Sequence, residues 1–437
     1  MKLLIVDTDG VGLNLGWRAA MAGHQVKWFV AKKPCLNPET GNGFNGIHKV
    51  DNWLSHASWA DVIFVTGNDR YIERLEKFPS YFGPSLKSAN LEINRSEGMK
   101  FLDRHGIETP PSHTFKSLKD AENFCRKSDY RFVFKTLGDN EDKSLSYCSK
   151  DPADMVARLQ RWQQMNMNPK GEVMLQEFIP GIEIGVSRWM GSQGWVGPPN
   201  ENFEFKKLMP GDIGPNTGEM GTVMKYTAES KLFDEVLEPM TEGLRKLGHL
   251  GDIDINCIVD EKGKAWPLEF TSRPGWPAFN IMMSEHKGDP VKWMLDAING
   301  KDTLQVTDEV AIGVVIAQPD FPYGNLKEED KAGMPIYGVT EKNRKYLHPQ
   351  SVKIDTLPQM EGNKTVEKPM WSSAGDYLMV VTGTGKTISQ AKKRVYKTVD
   401  DICVPNMLYR NDIGDRLQES IPELRKHGYA TSFEFGA

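Results

Sequence analysis

The sequence predicts an α/β protein, α+β overall, that contains more than one domain. In residues 1–94 short apolar strands alternate with helices, which is typical of a parallel sheet. Farther along, residues 251–259 and 264–273 alternate with period two on either side of an Asp-Glu-Lys-Gly turn, which predicts an antiparallel hairpin. The chain has 437 residues, enough for two or three domains.

The composition is that of an ordinary soluble globular protein, with 39% hydrophobic and 26% charged residues. A formal charge of -5 gives no electrostatic reason to expect binding to nucleic acid or to a membrane surface. No apolar run of about 18 residues is present, and the N-terminus enters a strand pattern without a signal-peptide stretch. The 5 cysteines are scattered without C-x-x-C spacing. We therefore expect a cytoplasmic location.

The N-terminal turn, residues 7–12, allows three interpretations. The first is a dinucleotide site, because Gly10, Gly12 and Gly16 are spaced G-x-G-x-x-x-G, although this signal is weak. The second is a phosphatase, because Asp7-Thr-Asp-Gly resembles the opening of haloacid-dehalogenase-type phosphatases, in which the first aspartate is the nucleophile. The third is an acidic strand-to-helix turn with no chemical role.

The predicted hairpin carries polar side chains on one face. Asp252, Asp254 and Asn256 share a face of the first strand, and Glu269 and Thr271 share a face of the second. A loop of two or four residues places Asp254 opposite Glu269. Oxygen ligands from both strands suit a hard cation and the phosphates that it neutralises. The alternative is a solvated outer face.

Two further stretches have the chemistry of a nucleotide site. Residues 173–185 predict a strand that ends in Gln-Glu-Phe-Ile and re-emerges with Glu183, where backbone groups could contact an adenine edge and the acid a ribose. Residues 206–221 form a loop rich in glycine and proline, next to Lys206 and Lys207, which predicts either an anion-binding loop or a plain surface loop.

Together these stretches resemble the glycinamide ribonucleotide synthetase (phosphoribosylamine–glycine ligase) family of ATP-grasp enzymes over nearly the whole chain. Residues 212–221, DIGPNTGEMG, are similar to the family's D-x-G-P-N-T-G-G-M-G and are the most specific match. Residues 268–275, LEFTSRPG, resemble its L-E-x-N-x-R-x-G, and residues 409–414, YRNDIG, resemble its Y-R-x-D-I-G.

The resemblance implies three domains: a Rossmann-like N-terminal domain at 1–94, an ATP-grasp module at 95–305 and a small mixed α/β domain at 306–437. The module would include a small lid subdomain at about 112–185. The implied chemistry is an amide ligation, in which ATP converts a carboxylate to an acyl phosphate and an amine displaces the phosphate. The substrates would be an amino acid or another carboxylate and an amine, and the cofactors ATP with Mg²⁺ or Mn²⁺. The protein would be a monomer or a homodimer.

The resemblance also assigns roles to individual residues. The catalytic residues would be Arg273 and Lys135. ATP would contact Arg95, Lys135, Gln176, Glu177, Phe178, Ile179 and Glu183. The metal would be held by residues drawn from Glu269, Asn256, Asp254 and Thr271. The substrates would contact Asp212, Pro215, Asn216, Thr217, Gly218, Met220, Gly10, Gly12 and Asn14.

Several positions depart from the family pattern. The family's metal-binding asparagine is Thr271, and Asn256 lies thirteen positions before Glu269, where related ligases have an acid. The phosphoribosylamine loop G-G-R-E-H-A of the family is replaced at residues 10–15, and the phosphate-covering lid at residues 138–144 is acidic. We therefore expect a paralogue with a different amine or carboxylate substrate. A non-catalytic nucleotide-binding protein is the main alternative, and the phosphatase is a weaker one.

Overall fold

The computed structural model describes residues 1–33, 36–68, 70–137, 146–167, 169 and 171–436. It shows strands and helices in alternation near the N-terminus and a large antiparallel sheet in the centre. The predicted α/β, α+β class is therefore confirmed. None of the helices in the described part of the chain is both long and apolar enough to cross a bilayer.

The N-terminal part is a five-stranded parallel sheet in the order β3-β2-β1-β4-β5. The first strand is apolar on both faces, because residues 3–6 are fully buried between layers of side chains. The elements are β1 (Lys2–Asp7), α1 (Leu13–Met21), β2 (Gln25–Val30), β3 (Ile47–Lys49), α2 (Leu54–Ala57), β4 (Val62–Val65), α3 (Ile72–Leu75) and β5 (Tyr81–Phe82).

Two helices, α4 (Leu86–Ile93) and α5 (Arg95–Arg104), connect this sheet to the rest of the chain. Asn94 begins α5, because its side-chain oxygen accepts a hydrogen bond from the Glu97 N–H at 3.3 Å. Gly98 lets the helix pack closely on its neighbours, since a Cβ there would lie 2.5 Å from the Leu91 carbonyl oxygen. The close packing brings Arg95 to the central sheet.

A small four-stranded antiparallel sheet, in the order β6-β9-β7-β8, forms a lid with two helices. Ser117 caps its first helix by accepting a hydrogen bond from the Asp120 N–H at 3.1 Å. The lid has its own hydrophobic core, which includes Phe132, Phe134 and Leu175. Its elements are β6 (Ser112–Phe115), α6 (Leu118–Cys125), β7 (Phe132–Thr136), β8 (Tyr147–Cys148), α7 (Pro152–Gln164) and β9 (Val173–Glu177).

The central sheet has eight strands in the order β16-β15-β10-β11-β14-β19-β24-β21. The chain from residue 181 to residue 298 supplies the first strands of this sheet together with helices and shorter strands. Its elements are β10 (Gly181–Gly191), β11 (Gly194–Glu204), β12 (Lys207–Met209), β13 (Ile213–Asn216), β14 (Gly221–Tyr226), α8 (Lys231–Val236), α9 (Thr241–Leu247), β15 (Gly251–Asp260), β16 (Ala265–Thr271), α10 (Ala278–Glu285), β17 (His286–Lys287) and α11 (Lys292–Ile298). β12 and β13 form a separate short hairpin.

The last part of the chain completes the same sheet. It comprises β18 (Gln305–Val306), β19 (Val310–Ala317), β20 (Ala332–Pro335), β21 (Leu347–Pro349), β22 (Val352–Glu361), β23 (Lys364–Ala374), β24 (Tyr377–Gly385), α12 (Ile388–Asp401) and α13 (Leu417–Lys426). Because β19, β24 and β21 pair with the strands before them, the domain boundary that we predict at residues 305–306 falls between strands of one sheet. One continuous core joins the N-terminal sheet, the central sheet and the C-terminal helices.

Candidate active site

The hairpin β15–β16 has a different register from the predicted one. Asn256 lies opposite Glu269, and Asp254 lies opposite Thr271. The prediction that Asp254 faces Glu269 is wrong, because Val259 pairs with Ala265 across a longer loop and the strand pairing then shifts by one residue after Cys257. Asp254, Asn256, Glu269 and Thr271 nevertheless share one face of the sheet, as predicted.

The next two strands extend this polar face. On β10 and β11, Glu183 and Glu204 each lie two residues beyond the paired Gly185 and Asn202, so the two carboxylates are neighbours. Lys206 neutralises them, since its Nζ lies 2.6 Å from Glu183 Oε1 and 3.0 Å from Glu204 Oε2. The predicted ribose acid, Glu183, is thus held in place by a lysine from the following loop.

Helix α5 and the lid bring two further cations to the same face. Arg95 pairs with Glu269 at 2.7 Å, and its side chain is 11% exposed. Lys135, at the end of β7, donates to Gln176 Oε1 at 2.8 Å. Burial, then the positive charge of Arg95, lower the pKa of Lys135 to about 8. The predicted ATP residues Arg95, Lys135, Gln176 and Glu183 therefore cluster around the predicted metal residue Glu269.

A cleft of about 180 Å³ opens between α5, the hairpin and the segment that precedes β14. Its charged and amide-bearing lining residues are Glu92, Arg95, Glu204, Lys206, Glu219, Asn256, Glu269 and Arg273. Arg273 Nη2 lies 3.2 Å from Glu92 Oε1, so a carboxylate on α4 orients the predicted catalytic arginine. The polar, charged lining suits a phosphorylated ligand.

The oxygen atoms beside the cleft fit a magnesium ion. Asn256 is 5% exposed and its buried Oδ1 has no hydrogen-bond partner within the described residues, while Glu269 lies opposite it. Asp254 fits less well, because burial, then the charge of Glu204, raises its pKa well above the usual value. Among the described residues no group of three or more acidic, histidine or cysteine side chains is placed to hold a metal. One carboxylate and one amide match the usual way in which Mg²⁺ is held, with substrate phosphates supplying further ligands.

The predicted adenine segment runs from Gln176 to Ile179. Gln176 is 2% exposed and its side chain accepts from Lys135. The backbone N–H groups of Glu177 and Phe178 donate to the carbonyls of Pro111 and Arg131, each at 2.8 Å. These two donors are therefore not available to a ligand in this conformation, and the predicted adenine contacts would fall to other backbone groups of the segment.

The residues of the segment 212–221, predicted to bind substrate, have different surroundings in the structure, and few of them face the cleft. Asp212 pairs with Arg410 at 2.7 Å and with Arg416 at 3.2 Å, so it links the loop to the C-terminal part of the chain. Pro215 and Asn216 belong to β13, Thr217 bonds to the Lys206 carbonyl, and Met220 is fully buried. Within this segment the cleft is lined by Gly218 and Glu219.

The predicted substrate residues of the N-terminal turn are engaged within the protein. The Gly10 and Gly12 N–H groups donate to Asp7, at 2.8 and 2.7 Å. Asn14 is fully buried and its amide nitrogen lies 2.9 Å from Asn280 Oδ1 and 3.0 Å from His348 Nδ1. A substrate role for Gly10, Gly12 and Asn14 has no support from this arrangement.

Asp7 itself does not have the geometry of a nucleophile. Its carboxylate accepts six hydrogen bonds: from the N–H groups of residues 9–12, from Trp28 Nε1 at 2.9 Å and from Thr66 Oγ1 at 2.8 Å. The residue is fully buried. Asp7 therefore organises the turn, and this argues against both the phosphatase and an anion-binding dinucleotide turn.

Glu204 and Glu219 were missed as site residues from the sequence. The alternation of Asn200, Asn202 and Glu204 along β11 is a signal that could have identified the first. Glu219 stands where the family motif has glycine, which could have identified the second. The acidic stretch 138–144, predicted to cover the phosphates, lies outside the described residues.

Two family models match the chain. The ATP-grasp (A) domain of phosphoribosylglycinamide synthetase matches residues 96–277, and the C domain of the same enzyme matches residues 311–416. The chain belongs to the phosphoribosylglycinamide synthetase family. This membership places it among the ATP-grasp ligases and confirms the predicted enzyme class.

Curated family members cover almost the whole chain. The phosphoribosylamine–glycine ligase of Salmonella typhimurium is 25% identical over 449 aligned residues, with 96% of this chain and 99% of the relative covered. The same enzyme from Neisseria meningitidis serogroup B is 26% identical, with 95% and 99% covered.

Solved structures show the same fold. The phosphoribosylamine–glycine ligase of Thermotoga maritima has a TM-score of 0.72 at 20% identity, over 95% of this chain and 100% of that one. An L-amino acid ligase of Bacillus licheniformis has a TM-score of 0.58 at 13% identity, over 92% and 98%.

Proposed function

We propose that this member of the phosphoribosylglycinamide synthetase family joins an amino acid, or another carboxylate, to an amine at the expense of ATP. The observation that carries the proposal is that Arg95 and Glu269 line one cleft and that Lys135 lies close enough to both for their charges to affect its pKa. These residues come from α5, the lid and the hairpin, and such an arrangement of two cations and a carboxylate suits phosphoryl transfer.

The proposed reaction has two steps. A carboxylate oxygen attacks the terminal phosphorus of ATP, the bond to ADP breaks, and an acyl phosphate forms. The amine nitrogen then attacks the acyl carbon, the carbon–oxygen bond to phosphate breaks, and the amine proton leaves to solvent. Phosphoryl transfer requires mainly positioning and charge neutralisation, which Arg95 and Arg273 would provide in this cleft, with Lys135 close to Arg95.

Glu269 and Asn256 would hold the divalent ion, which supplies neutralisation of phosphate charge when it is bound. Arg95 Nη2 lies 2.7 Å from Glu269 Oε2. Once Glu269 binds the ion, Arg95 would exchange part of this contact for a contact with a phosphate oxygen. Glu92 keeps Arg273 oriented throughout, since its second oxygen also accepts from the Ser272 N–H at 2.8 Å.

ADP release, screened against pairs of a carboxylate and an amine, tests the proposal. Phosphoribosylamine plus glycine is the first pair, because the curated relatives carry that reaction in their names. We expect ADP and phosphate in equal amounts, with both organic substrates required. ATP binding in calorimetry without ADP release for any pair would contradict the proposal.

A further inference from the structure

One carboxyl group of the cleft differs from the others. Glu92, Glu204 and Glu269 each form an ion pair, with Arg273, Lys206 and Arg95 respectively. Glu219 also lines the cleft, yet no ion pair joins it to a cation within the described residues. The three lining cations are thus already matched by the other three acids.

Glu219 is also buried without an ion pair among the described residues, although the positive charge of Lys206 opposes part of the rise in its pKa. It is 6% exposed, and its buried Oε1 has no hydrogen-bond partner in the described part of the chain. Burial, then the negative charge of Glu204, raises the pKa of Glu219 well above the usual value. A buried carboxyl oxygen without a hydrogen-bond partner destabilises the folded protein. Such groups are therefore uncommon in native structures unless they have a function.

The hydroxyl of Tyr377 is a second unpartnered group near Glu219. This hydroxyl is buried and has no hydrogen-bond partner among the described residues. Burial raises the pKa of Tyr377 well above its usual value, and the nearby Glu219 charge raises it further. A ligand in the cleft that donates hydrogen bonds could satisfy Glu219, whereas a phosphate placed against Glu219 would meet a carboxylate of like charge.

The N-terminal turn also offers no place for a phosphate. The donors of residues 9–12, which in a strand-to-helix turn could bind an anion, already bind the Asp7 carboxylate. This observation is independent of Glu219, since the turn follows β1 of the N-terminal sheet and Glu219 precedes β14 of the central sheet.

We propose that Glu219 pairs with an ammonium group of a substrate and that it selects substrates with such a group over those with a phosphate. The inference rests on the proposed ligase function, because it assigns a ligand to the same cleft. The ammonium group can belong to the carboxylate substrate or to the amine, where it is then a second amino group. Glu219 acts here as a specificity-determining residue.

Binding calorimetry in the presence of Mg²⁺ and a non-hydrolysable ATP analogue tests the inference without requiring turnover. One arm compares glycine with acetate, a second compares ethylenediamine with ethylamine, and a third compares ethanolamine with O-phosphoethanolamine. We expect wild-type protein to prefer the first compound of one of the first two pairs, and ethanolamine over its phosphate ester, by about tenfold or more. The pair that shows the preference identifies the source of the ammonium group.

The variants Glu219→Gln and Glu219→Gly should lose that preference while binding the nucleotide analogue as wild type does. Glu201→Gln is the matched control, because Glu201 is also a buried glutamate of the central sheet, bonded to Ser230 away from the cleft. The control should keep the preference. Equal preference in wild type and Glu219→Gln, or no ammonium-dependent binding in wild type, would overturn the inference. Absence of ADP release with intact ammonium binding would instead overturn only the proposed function.

Discussion

Lys135 is the residue whose protonation state most directly affects nucleotide binding. Its pKa is lowered from 10.5 to about 8, so the folded protein loses this charge at a pH at which an exposed lysine keeps it. The phosphates of ATP favour the charged form, and binding should therefore take up a proton above pH 8.

We predict that ATP affinity falls as pH rises from about 8 to 9.5, and that Lys135→Arg removes most of this fall, because an arginine stays charged. Calorimetric dissociation constants across this range measure the effect. A stability measurement checks the sign: between pH 8 and 10.5 the unfolded chain binds more protons than the folded one, so this lysine makes folding more favourable as pH rises. A pH-independent dissociation constant for wild type would refute the assignment.

Glu269 is the carboxylate on which the proposed metal site depends. Replacing it by alanine should lower the rate of ADP release by a factor of about 10²–10³, with a smaller change in the KM for ATP. Glu108→Ala is the control, because Glu108 pairs with Lys264 of the same hairpin but away from the cleft. Full turnover by Glu269→Ala, measured by ADP release, would exclude this carboxylate as a metal ligand.

At the scale of single residues, the sequence predicted which side chains would meet but not how they pair. Arg95, Lys135, Glu183 and Glu269 do lie together. The pattern around Lys206, in contrast, predicts only an anion-binding loop or a plain surface loop. Its pairing with two glutamates depends on the neighbouring strands β10 and β11, which are brought together by the fold and not by proximity in the sequence.

At the scale of elements, the hairpin β15–β16 decides which oxygen atoms face the metal. Its alternation was visible in the sequence, whereas its register was not, because a single-residue bulge moves every later pair by one position. The helix ends were easier to predict, since caps such as Ser117 and Thr387 act locally.

The register leads to a prediction about metal demand. Asn256→Ala should raise the Mg²⁺ concentration required for half-maximal ADP release, because it removes the buried oxygen opposite Glu269. Thr271→Asn, which restores the residue typical of the family on the same face, should lower that concentration. Titration of Mg²⁺ at fixed ATP measures both effects. If Asn256→Ala titrated like wild type, the ion would have to lie elsewhere in the cleft.

At the scale of the whole molecule, Arg410 connects the C-terminal part of the chain to the segment 212–221. This arginine is fully buried and pairs with Asp212 at 2.7 Å and with Asp412 at 2.8 Å. Arg416 contacts the same Asp212 but is 35% exposed. Arg410 and Arg416 therefore allow a comparison between a buried arginine and a partly exposed one that both pair with Asp212.

Arg410→Ala should lower the free energy of unfolding by about 2–3 kcal/mol, because it leaves Asp412 without its cation. The value is below that of a fully buried pair, since Asp212 is 43% exposed and water can solvate it. Arg416→Ala should lower the free energy by less than about 1 kcal/mol. Urea denaturation of both variants measures the difference. Equal losses would show that the burial of Arg410 has no energetic effect.

The three-domain organisation remains a prediction. The lid is implied by the family resemblance, and the parallel N-terminal sheet was recognisable from local strand and helix patterns. The membership of β19, β21 and β24 in the central sheet was not, because pairing between distant strands leaves no local signal.

The network of Asn14, Asn280 and His348 has a mechanical consequence. It joins α1 of the N-terminal sheet, α10 under the central sheet and β21 near the C-terminus through buried hydrogen bonds. The N-terminal sheet, the central sheet and the C-terminal part are therefore held together as one unit, whereas the lid has a separate hydrophobic core. We therefore expect the lid to be the part that opens and closes around a bound nucleotide, and so to keep water away from the proposed acyl phosphate.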